Sequence, residues 1–512
     1  RYAHLFATSG TGTEDDPRPG QAIADAWADL PAGTSGKVKM VPGVFDLGSG
    51  SIGLDLDYDG TYTTGFVLEG SGGGNEETGT VGPTYANDGG TMLLYGGTGE
   101  AIRIGSFSTS TSLWLENSTL RGVKVRQTGT AGTGIGILAR LFRWGLIEDV
   151  NVVDFATGLA FASVSDFNMI NKFRSRDCQT YHVDMGRTTD AAGTSLGGTA
   201  GQCNGNRFVN CDIMNSVRDA GYTNWGIRVN TNCVLGTISD SEFHNFDGDS
   251  SSGAIKIDDS TTDSSDWTID RCYFEGNYVG VYHNNPFGGG AQNHQSITVS
   301  NCYFAQIEKY GVWINSGGAG GITDGVIVTG NKFDVPSSAV PYSTAIGIQL
   351  GTYVQNAVIL GNSFSILTVV GTLPGANVKI ASSTVTQNNL IIGTQRNTGA
   401  VTFDSTLAVT GASTLTGAVG CGAVTSTGNV TSGGHLRGLK GTAALTGSTA
   451  ITTAGAFLID ITNTSGSNTF TLTAPSSVDG QLLILRIAAI TAGDLSLADS
   501  GNVSLSAAWT PP

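Results

Sequence analysis

One short pattern recurs at nearly constant spacing in the middle of this chain. It runs from a β-branched residue, through polar or small residues, to an aromatic residue five positions later. The closing aromatics are Phe243, Phe274, Phe304, Phe333 and Phe364, at intervals of 31, 30, 29 and 31 residues. A unit of this length cannot bury its apolar face alone, so the repeat predicts a solenoid of stacked coils.

Each copy of the pattern is followed, after a variable loop, by a second strand-like stretch that opens on a small residue, as at 226–230 and 254–258. Side chains of a strand point alternately to its two faces. Ile255 and Ile257 therefore face inward, and Lys256 faces outward. With two or three strands per coil, we expect an all-β fold, a right-handed, single-stranded parallel β-helix.

Changes in sequence character divide the chain into four predicted regions. Residues 1–45 form an N-terminal cap, with a short helix and a strand that leads into the coils, and residues 46–396 form the parallel β-helix. Residues 397–442 are short, nearly uncharged, Thr- and Gly-rich strands that bury too little to fold alone, and we expect an intertwined β-stem. Residues 443–512 form a small C-terminal β-domain whose pattern stops partway, so further strands are expected beyond it.

The charge of the chain limits its partners. The formal net charge is −16, and charged residues make up only 13% of the sequence. Nucleic-acid binding depends on clustered Lys and Arg, so this balance argues against DNA and RNA. The longest apolar run, 482–490, contains Arg486. It is far shorter than the roughly 20 residues of a membrane span, and none is expected.

The seven cysteines indicate structure and not chemistry. None of them lies in a CxxC pair or in a Cys/His cluster with zinc-ligand spacing. One equivalent position, two residues before the aromatic, is occupied in successive coils by Cys211, Ser241, Cys272, Cys302, Asn331 and Asn362. We expect an internal ladder of small polar side chains there. No metal and no cofactor is predicted.

Outward positions of the second strand form a row of polar and aromatic side chains. The row contains His182, Asp184, Arg228, Asn230, Lys256, Asp258, Tyr282, Asn284, Trp313, Asn315 and Gln349. Tyr282 and Trp313 are candidates to stack on sugar rings, and Arg228 and Lys256 are candidates to bind sugar carboxylates or hydroxyls. The alternative is a polar surface that faces solvent or a neighbouring subunit.

Outward positions around the closing aromatic form a second row. It contains Asp212, Glu242, His244, Tyr273, Glu275, Tyr303 and Lys332, of which His244, Tyr273 and Tyr303 are candidate substrate-binding residues. Strand geometry places Glu242 and Glu275 about 8 Å apart on neighbouring coils, which suits an inverting glycosidase. With Asp270 and Asp247 nearby, these four are the candidate catalytic residues. The alternative is that the acids only keep an exposed β-face soluble.

A lyase mechanism would use other residues. β-Elimination from a uronic acid needs a base for the C5 proton, a cation for the carboxylate and a proton donor for the leaving oxygen. The candidates, on three consecutive coils, are Arg228, Lys256, Tyr282 and His283. Because the net charge is unfavourable for a polyuronate, hydrolysis is preferred over elimination.

The helical spacing at 21–30 and the strand and turn at 37–45 resemble the start of the pectate-lyase-like β-helices of bacteriophage tailspikes. The region from 397 resembles the stem and terminal β-domain of phage tail fibres. The resemblance implies a homotrimer on the virion tail, extracellular, joined to the tail or baseplate through a preceding N-terminal part. It implies a depolymerase, with endo-glycosidase activity favoured, for a bacterial surface polysaccharide. A polysaccharide lyase and a non-catalytic receptor-binding fibre stay open as alternatives.

Overall fold

The structure is a computed structural model that describes most of residues 1–366 and separate strands beyond them. The gaps before residue 366 are 4–8, 11–12, 14–15, 31–34, 58–64, 73–89, 108–113, 197–201, 217–223, 231, 249–250, 259–264, 286–291, 294–295, 317–320, 336–344 and 352–353. Later described segments are 376–380, 391–392, 396–397, 401–403, 439–445, 449–452, 456–463, 467–473, 484–490 and 495–497. The chain forms two compact units, Arg1–Ala408 and Val409–Pro512.

The first unit is a parallel β-helix with three sheets, as the repeat predicted. The first sheet contains Lys37–Lys39, Val67–Glu69, Met169–Asn171, Arg207–Val209, Thr237–Ser239, Trp267–Asp270, Ile297–Ser300, Val326–Thr329, Val358–Leu360 and Ile391–Ile392. The second sheet contains Arg18–Pro19, Gly43–Asp46, Thr91–Tyr95, Arg174–Arg176, Asp212–Met214, Glu242–His244, Tyr273–Glu275, Tyr303–Ala305, Lys332–Val335, Ser363–Ile366 and Arg396–Asn397. Two long strands, Thr119–Gln127 and Leu146–Val153, run through both sheets.

The third sheet closes each coil. It contains Ile52–Asp57, Glu100–Gly105, Thr133–Arg140, Phe155–Ala162, Tyr181–Arg187, Trp225–Val229, Gly253–Asp258, Val279–Asn285, Tyr310–Ser316, Ile346–Leu350, Ala376–Ile380 and Val401–Phe403. Short extra strands are Leu115–Glu116, Phe142–Arg143, Gln292–Asn293, Gly321–Asp324 and Val354–Gln355. Every strand pairing in the three sheets is parallel, so each coil stacks in register on the next.

A residue in the left-handed backbone region separates the first-sheet strand from the second-sheet strand in the central coils. The φ angle is 51° at Asp240, 52° at Arg271, 54° at Asn301 and 67° at Gly330. Asn, Asp and Gly adopt this conformation at least cost, which explains why they recur before the ladder position. Arg271 departs from the pattern at a cost of about 1–2 kcal/mol, and its guanidinium binds both carboxylate oxygens of Asp240 on the previous coil.

In each coil, the residue after this corner belongs to the internal ladder that the sequence predicted. The backbone N–H of Cys302 donates to Asn331 Oδ1 at 2.9 Å, and that of Asn331 donates to Asn362 Oδ1 at 3.0 Å. In earlier coils, the N–H of Cys211 donates to Ser241 Oγ at 3.0 Å. All these side chains are buried. The ladder prediction is confirmed, and its function is to satisfy backbone donors at the corner.

Replacement of Asn331 tests the ladder without opening a cavity. Asn331→Leu is expected to lower the free energy of unfolding by about 1–3 kcal/mol, because the buried Cys302 N–H and Val299 carbonyl each lose their hydrogen bond to the Asn331 amide. Urea unfolding of the variant and the unmodified chain measures the difference. Equal stability would show that the amide is dispensable at this position.

The inward aromatics of the second sheet stack along the core. Ring centroids lie 5.2 Å apart for Phe243 and Phe274, 4.6 Å for Phe274 and Phe304, 4.7 Å for Phe304 and Phe333, and 4.9 Å for Phe333 and Phe364. The planes of successive rings lie within 10° of each other. The residues that fix the repeat in the sequence are therefore one continuous buried stack.

One helix, Gln21–Ala28, packs at the N-terminal end of the first unit. It buries Ile23 and Trp27 in the core, and the Trp27 ring meets Phe66 edge to face at 4.3 Å. The helix lies within the predicted helical segment 21–30. No helix of the described part of the chain is long and apolar enough to cross a membrane.

Residues 188–196, which follow the strand Tyr181–Arg187, pack on the outer face of the third sheet. Ala191 and Leu196 pack against a buried patch whose members are Ile135, Leu138, Ala160 and Ala162. The N–H of Ala191 also donates to Glu100 Oε1 at 2.7 Å. This segment therefore covers part of the outer face of the third sheet at Thr133–Arg140 and Phe155–Ala162.

The coils continue past residue 396, where we predicted the β-helix to end, because Val401–Phe403 pairs with Ala376–Ile380. Most of the predicted stem, at 404–438, lies outside the described residues. The second unit has two parallel sheets. One contains Leu439–Leu445, Ala456–Asn463 and Ile484–Ile490, and the other contains Thr449–Thr452, Asn468–Thr473 and Leu495–Leu497. The remaining boundaries and the trimer stay predictions.

Candidate functional site

Two outward surfaces carry most of the predicted site residues. We call Glu242, His244, Tyr273, Glu275, Tyr303 and Lys332 the second-sheet row. We call Asp184, Arg228, Lys256, Tyr282 and Trp313 the third-sheet row. Both rows form because equivalent residues of successive coils are paired: Glu242 pairs with Tyr273, and Lys256 pairs with Tyr282, on the next coil. The rows belong to different sheets, so they are two separate candidate sites.

His244 links the two predicted catalytic glutamates. Its Nε2 lies 3.2 Å from Glu242 Oε2, and its Nδ1 lies 3.4 Å from Glu275 Oε2. The hydroxyl of Tyr273 donates to Glu275 Oε2 at 3.0 Å. The Glu242 side chain, by contrast, is 60% exposed. The structure thus brings the two carboxylates together on one open face, in different environments.

The two tyrosines of this row act as hydrogen-bond donors to acids. Burial, with the hydrogen bond to Glu275, raises the pKa of Tyr273 to about 12. The hydroxyl of Tyr303 donates to Asp334 Oδ2 at 2.9 Å, and this bond and burial raise the pKa of Tyr303. Both phenols are therefore protonated at neutral pH. The Lys332 ammonium lies 4.4 Å from the centroid of the Tyr303 ring and covers that ring.

Asp270 and Asp247 have different surroundings from the glutamate pair. Asp270 belongs to a first-sheet strand and accepts hydrogen bonds from Ser300 and Asn301, and it pairs with Arg271. Burial opposes ionisation of Asp270, but the Asn301 and Ser300 hydrogen bonds and the Arg271 charge together lower its pKa. Asp247 is buried, with 6% exposure. Asp270 therefore lies on a different sheet from Glu242 and Glu275, and Asp247 offers little surface to a ligand.

The cations of the third-sheet row already have acidic partners. Lys256 Nζ lies 2.8 Å from Asp258 Oδ2. Arg228 lies 3.9 Å from the buried Asp184 carboxylate, and its guanidinium packs over the Tyr181 ring at 4.7 Å. These pairs order the two cations on the face and reduce the charge that they offer to a ligand.

The aromatics of the third-sheet row stack on one another. The Tyr282 and Trp313 rings lie 4.4 Å apart, and Trp225 extends the stack at 5.9 Å from Tyr282. Tyr310 packs on Trp313 at 4.5 Å. Because the rings cover each other's faces, they present mainly edges to a ligand, where we expected faces for sugar stacking. Sequence reasoning missed Trp225, whose one signal is its place just before the small residue that opens the strand.

The prediction that His283 contributes to an open site is wrong, as is the outward placement of His182. His283 is 1% exposed and pairs with Ile257 and Ile314, because alternation points it inward when Tyr282 points outward. His182 is fully buried, with Ser175 Oγ at 2.9 Å from one ring nitrogen. Burial lowers the pKa of each histidine to about 4.

His283→Leu is expected to stabilise the protein, since neither ring nitrogen of His283 has a hydrogen-bond partner among the described residues. Its pKa of about 4 in the folded chain, against 6.5, means that the unfolded chain takes up the proton first as pH falls. The unmodified protein should therefore lose up to about 3 kcal/mol between pH 6.5 and 4 through this residue.

Urea unfolding at pH 7.5 and at pH 4.5 measures the effect, and the advantage of the variant should be larger at the lower pH. His182→Leu is the matched control. It is expected to destabilise, because it removes the partner of Ser175 and Asn215. A destabilised His283→Leu protein would contradict the prediction.

Among the described residues, no group of three or more His, Cys, Asp or Glu is placed to hold a metal ion. No protein-family model matches this sequence, and no curated protein matches it. The structure is similar to the surface protein and adhesin PfbA of Streptococcus pneumoniae, with a TM-score of 0.50 and 12% identity, over 78% of this chain and 98% of that chain. The shared property is the fold.

Two further solved structures have lower scores. A tailspike mutant of E. coli bacteriophage HK620, in complex with a pentasaccharide, has a TM-score of 0.41 and 14% identity over 93% of this chain and 76% of that chain. The catalytic domain of a GH87 alpha-1,3-glucanase, in complex with tetrasaccharides, has a TM-score of 0.41 and 13% identity. The match covers 76% of this chain and 66% of the glucanase chain, just under two thirds of its length.

Proposed function

We propose that this chain binds a bacterial surface polysaccharide and cleaves it by glycoside hydrolysis at the second-sheet row. The observation that carries the proposal is the position of Glu242 and Glu275 on either side of one imidazole, on an open face. Glycosidases use two carboxyl groups that flank the bond to be broken. A pair with different surroundings suits the division of labour between acid and base.

We assign the two roles from the surroundings of the carboxylates. Glu275, which faces Tyr273 and His244, is the carboxylate that takes a proton from the attacking water. Glu242, the more exposed, gives its proton to the leaving glycosidic oxygen as the bond breaks. Strand geometry gives a separation of about 8 Å, within the range of about 6.5–9.5 Å for inverting enzymes. In the free protein His244 lies between the two, and a bound sugar would displace its ring.

The geometry does not favour elimination at the third-sheet row. His283 is buried, and burial raises the pKa of Tyr282, so this phenol is a poor base. A second candidate function, sugar binding without cleavage, has its own support there. Asn284 donates to Asp258 at 3.0 Å and accepts from Asn315 at 3.1 Å, forming a row of polar groups that fits sugar hydroxyls.

Incubation with a panel of bacterial capsular, exopolysaccharide and lipopolysaccharide chains tests the proposal. Reducing ends and the ultraviolet absorbance of unsaturated uronates are followed together. New reducing ends without the absorbance support hydrolysis. Reducing ends with the absorbance mean elimination and contradict the assigned chemistry. Binding without either signal supports the non-catalytic function.

The oligomer and the location belong to the same proposal. We infer a homotrimer on a virion tail, extracellular, with the uncharged Thr- and Gly-rich stretch at 405–434 as its support, since such strands bury too little to fold alone. Light scattering of the whole chain in solution is expected to give three times the chain mass. A monomer would contradict the trimer and leave the hydrolysis test unaffected.

A further inference from the structure

A second left-handed corner, just before the first sheet, carries an unusual set of residues. The corner residues are Trp144, Phe167, Gly205 and Leu235. The backbone N–H of each of the first three donates to the carbonyl of the residue just before the next corner residue; these acceptors are Asp166, Asn204 and Val234. The corner residues therefore occupy one equivalent position on successive coils. Their φ angles are 51°, 57°, 65° and 61° in chain order.

Three of these side chains are large, apolar and exposed. Trp144 is 47% exposed, Phe167 is 45% exposed and Leu235 is 56% exposed. The left-handed region favours Gly, Asn and Asp, and Asn117 and Gly205 hold the same position on other coils. Neither backbone preference nor burial explains a tryptophan and a phenylalanine here. A ligand that covers them would.

Arg143 lies at the centre of this patch. Its guanidinium carbon lies 4.3 Å from the centroid of the Trp144 ring, 5.2 Å from that of Trp114 and 5.8 Å from that of Phe167. We call these four residues the Arg143 patch. Within the part of the chain that the structure describes, Arg143 forms no ion pair, and its Nε is buried without a hydrogen-bond partner.

Asp166 is a buried carboxyl near Arg143: burial raises its pKa, and the hydrogen bond from the backbone N–H of Asn204, at 2.7 Å, and the charge of Arg143 oppose that rise. Described cations of the second-sheet and third-sheet rows, unlike Arg143, have ion-pair partners. Lys256 and Lys332 each have a carboxylate within ion-pair distance. The Arg143 patch thus combines a cation that lacks an ion pair with exposed aromatic rings.

We propose that the Arg143 patch binds a carboxylate-bearing sugar unit, such as a uronate, of the polysaccharide. The guanidinium fork matches a carboxylate with two parallel hydrogen bonds. Trp and Phe rings supply apolar area for the C–H faces of the sugar, and they keep water away from the ion pair. The net charge of −16 acts at long range and is screened beyond about 10 Å, so a local cation decides contact.

The choice of ligand rests on the proposed function, because it takes the ligand to be a polysaccharide. The patch lies on a different corner of the coil from Glu242 and Glu275, so it is a binding site and not part of the hydrolytic pair. The other occupant that would fit exposed rings is a second copy of this chain. Charge complementarity favours the acidic sugar, and the copy is one outcome of the test.

The test compares acidic bacterial polysaccharides with the same polymers after chemical reduction of their carboxyl groups. Binding is measured by affinity electrophoresis with Glu242→Gln protein, which prevents cleavage. Arg143→Gln is expected to weaken binding of the acidic polymers about 10-fold or more, and to leave binding of the reduced polymers unchanged. Arg207→Gln, at an exposed arginine on a first-sheet strand, is the matched control and should bind as before.

A second variant, Trp144→Ala, should weaken binding of the same acidic polymers, with the fold of each variant checked by circular dichroism. Absence of Arg143-dependent binding across the panel overturns the proposal, as does equal loss on acidic and reduced polymers. A change in oligomeric mass of Arg143→Gln without a change in polymer binding assigns the patch to a second copy and also overturns it. Because binding and not cleavage is read, the result stands apart from the hydrolysis test.

Discussion

Replacement of Glu242 or Glu275 by Gln is expected to lower the rate of polysaccharide hydrolysis by about 100-fold to 10,000-fold. Each amide keeps the size of the side chain and its contact with His244, but it can neither give nor take the proton. The measurement is the rate of new reducing ends at saturating substrate. Because the pair acts as a unit, the double variant should lose little more than either single variant.

Glu148→Gln is the control for this pair. Glu148 is a partly exposed first-sheet glutamate that accepts a hydrogen bond from Asn171 at 3.0 Å, so the change removes a carboxylate from a different face. It should leave the rate unchanged. A normal rate in both Glu242→Gln and Glu275→Gln, with a large loss in Lys256→Met, would move the reaction to the third-sheet row and refute the assignment.

Much of the fold was open to prediction because each coil repeats the same physical problem. Phe243 and Phe274 must be buried, the corner before them must accept a left-handed residue, and the next backbone N–H needs a partner inside. These requirements produce the same residue pattern in the sequence at intervals of 29 to 31 residues. The internal ladder at Cys302 and Asn331 followed from register alone, since equivalent positions in a stack are neighbours.

The candidate site was less predictable because alternation gives the face of a side chain and not what lies against it. It placed Glu242 and Glu275 on one outer face, but it could not show His244 between them. It could not show that Tyr282 and Trp313 turn their faces to each other. Both Tyr282 and His283 were candidate residues for an open site, but neighbours in a strand face opposite sides. Tyr282 points outward, and His283 points into the core.

The positions of residues at corners and loops were also not predicted, because the alternation of side chains holds only within a strand. Asp270 lies near Glu275 in sequence, but the left-handed corner at Arg271 puts the two acids on different sheets. Trp144 and Phe167 share a corner position that no sequence period marks. Their meeting around Arg143 required the coil stack itself.

Phe274→Ala is expected to lower the free energy of unfolding by about 3–5 kcal/mol. The ring is fully buried, with Phe243 on one side and Phe304 on the other, so its removal leaves a cavity that a stack held in register cannot close. Ile327→Ala removes an aliphatic side chain that is 37% exposed on the first sheet. That control should cost much less in the same urea unfolding experiment.

The size of the loss also tests whether the stack acts as more than buried area. Aromatic pairs contribute about 0.5–1.5 kcal/mol beyond burial, so a double-mutant cycle of Phe274→Ala with Phe304→Ala should show coupling of that order. Additive losses would mean that the rings only fill volume. A small loss for Phe274→Ala alone would mean that neighbouring coils shift to close the gap, and the rigid face that holds Glu242 and Glu275 in place would be in doubt.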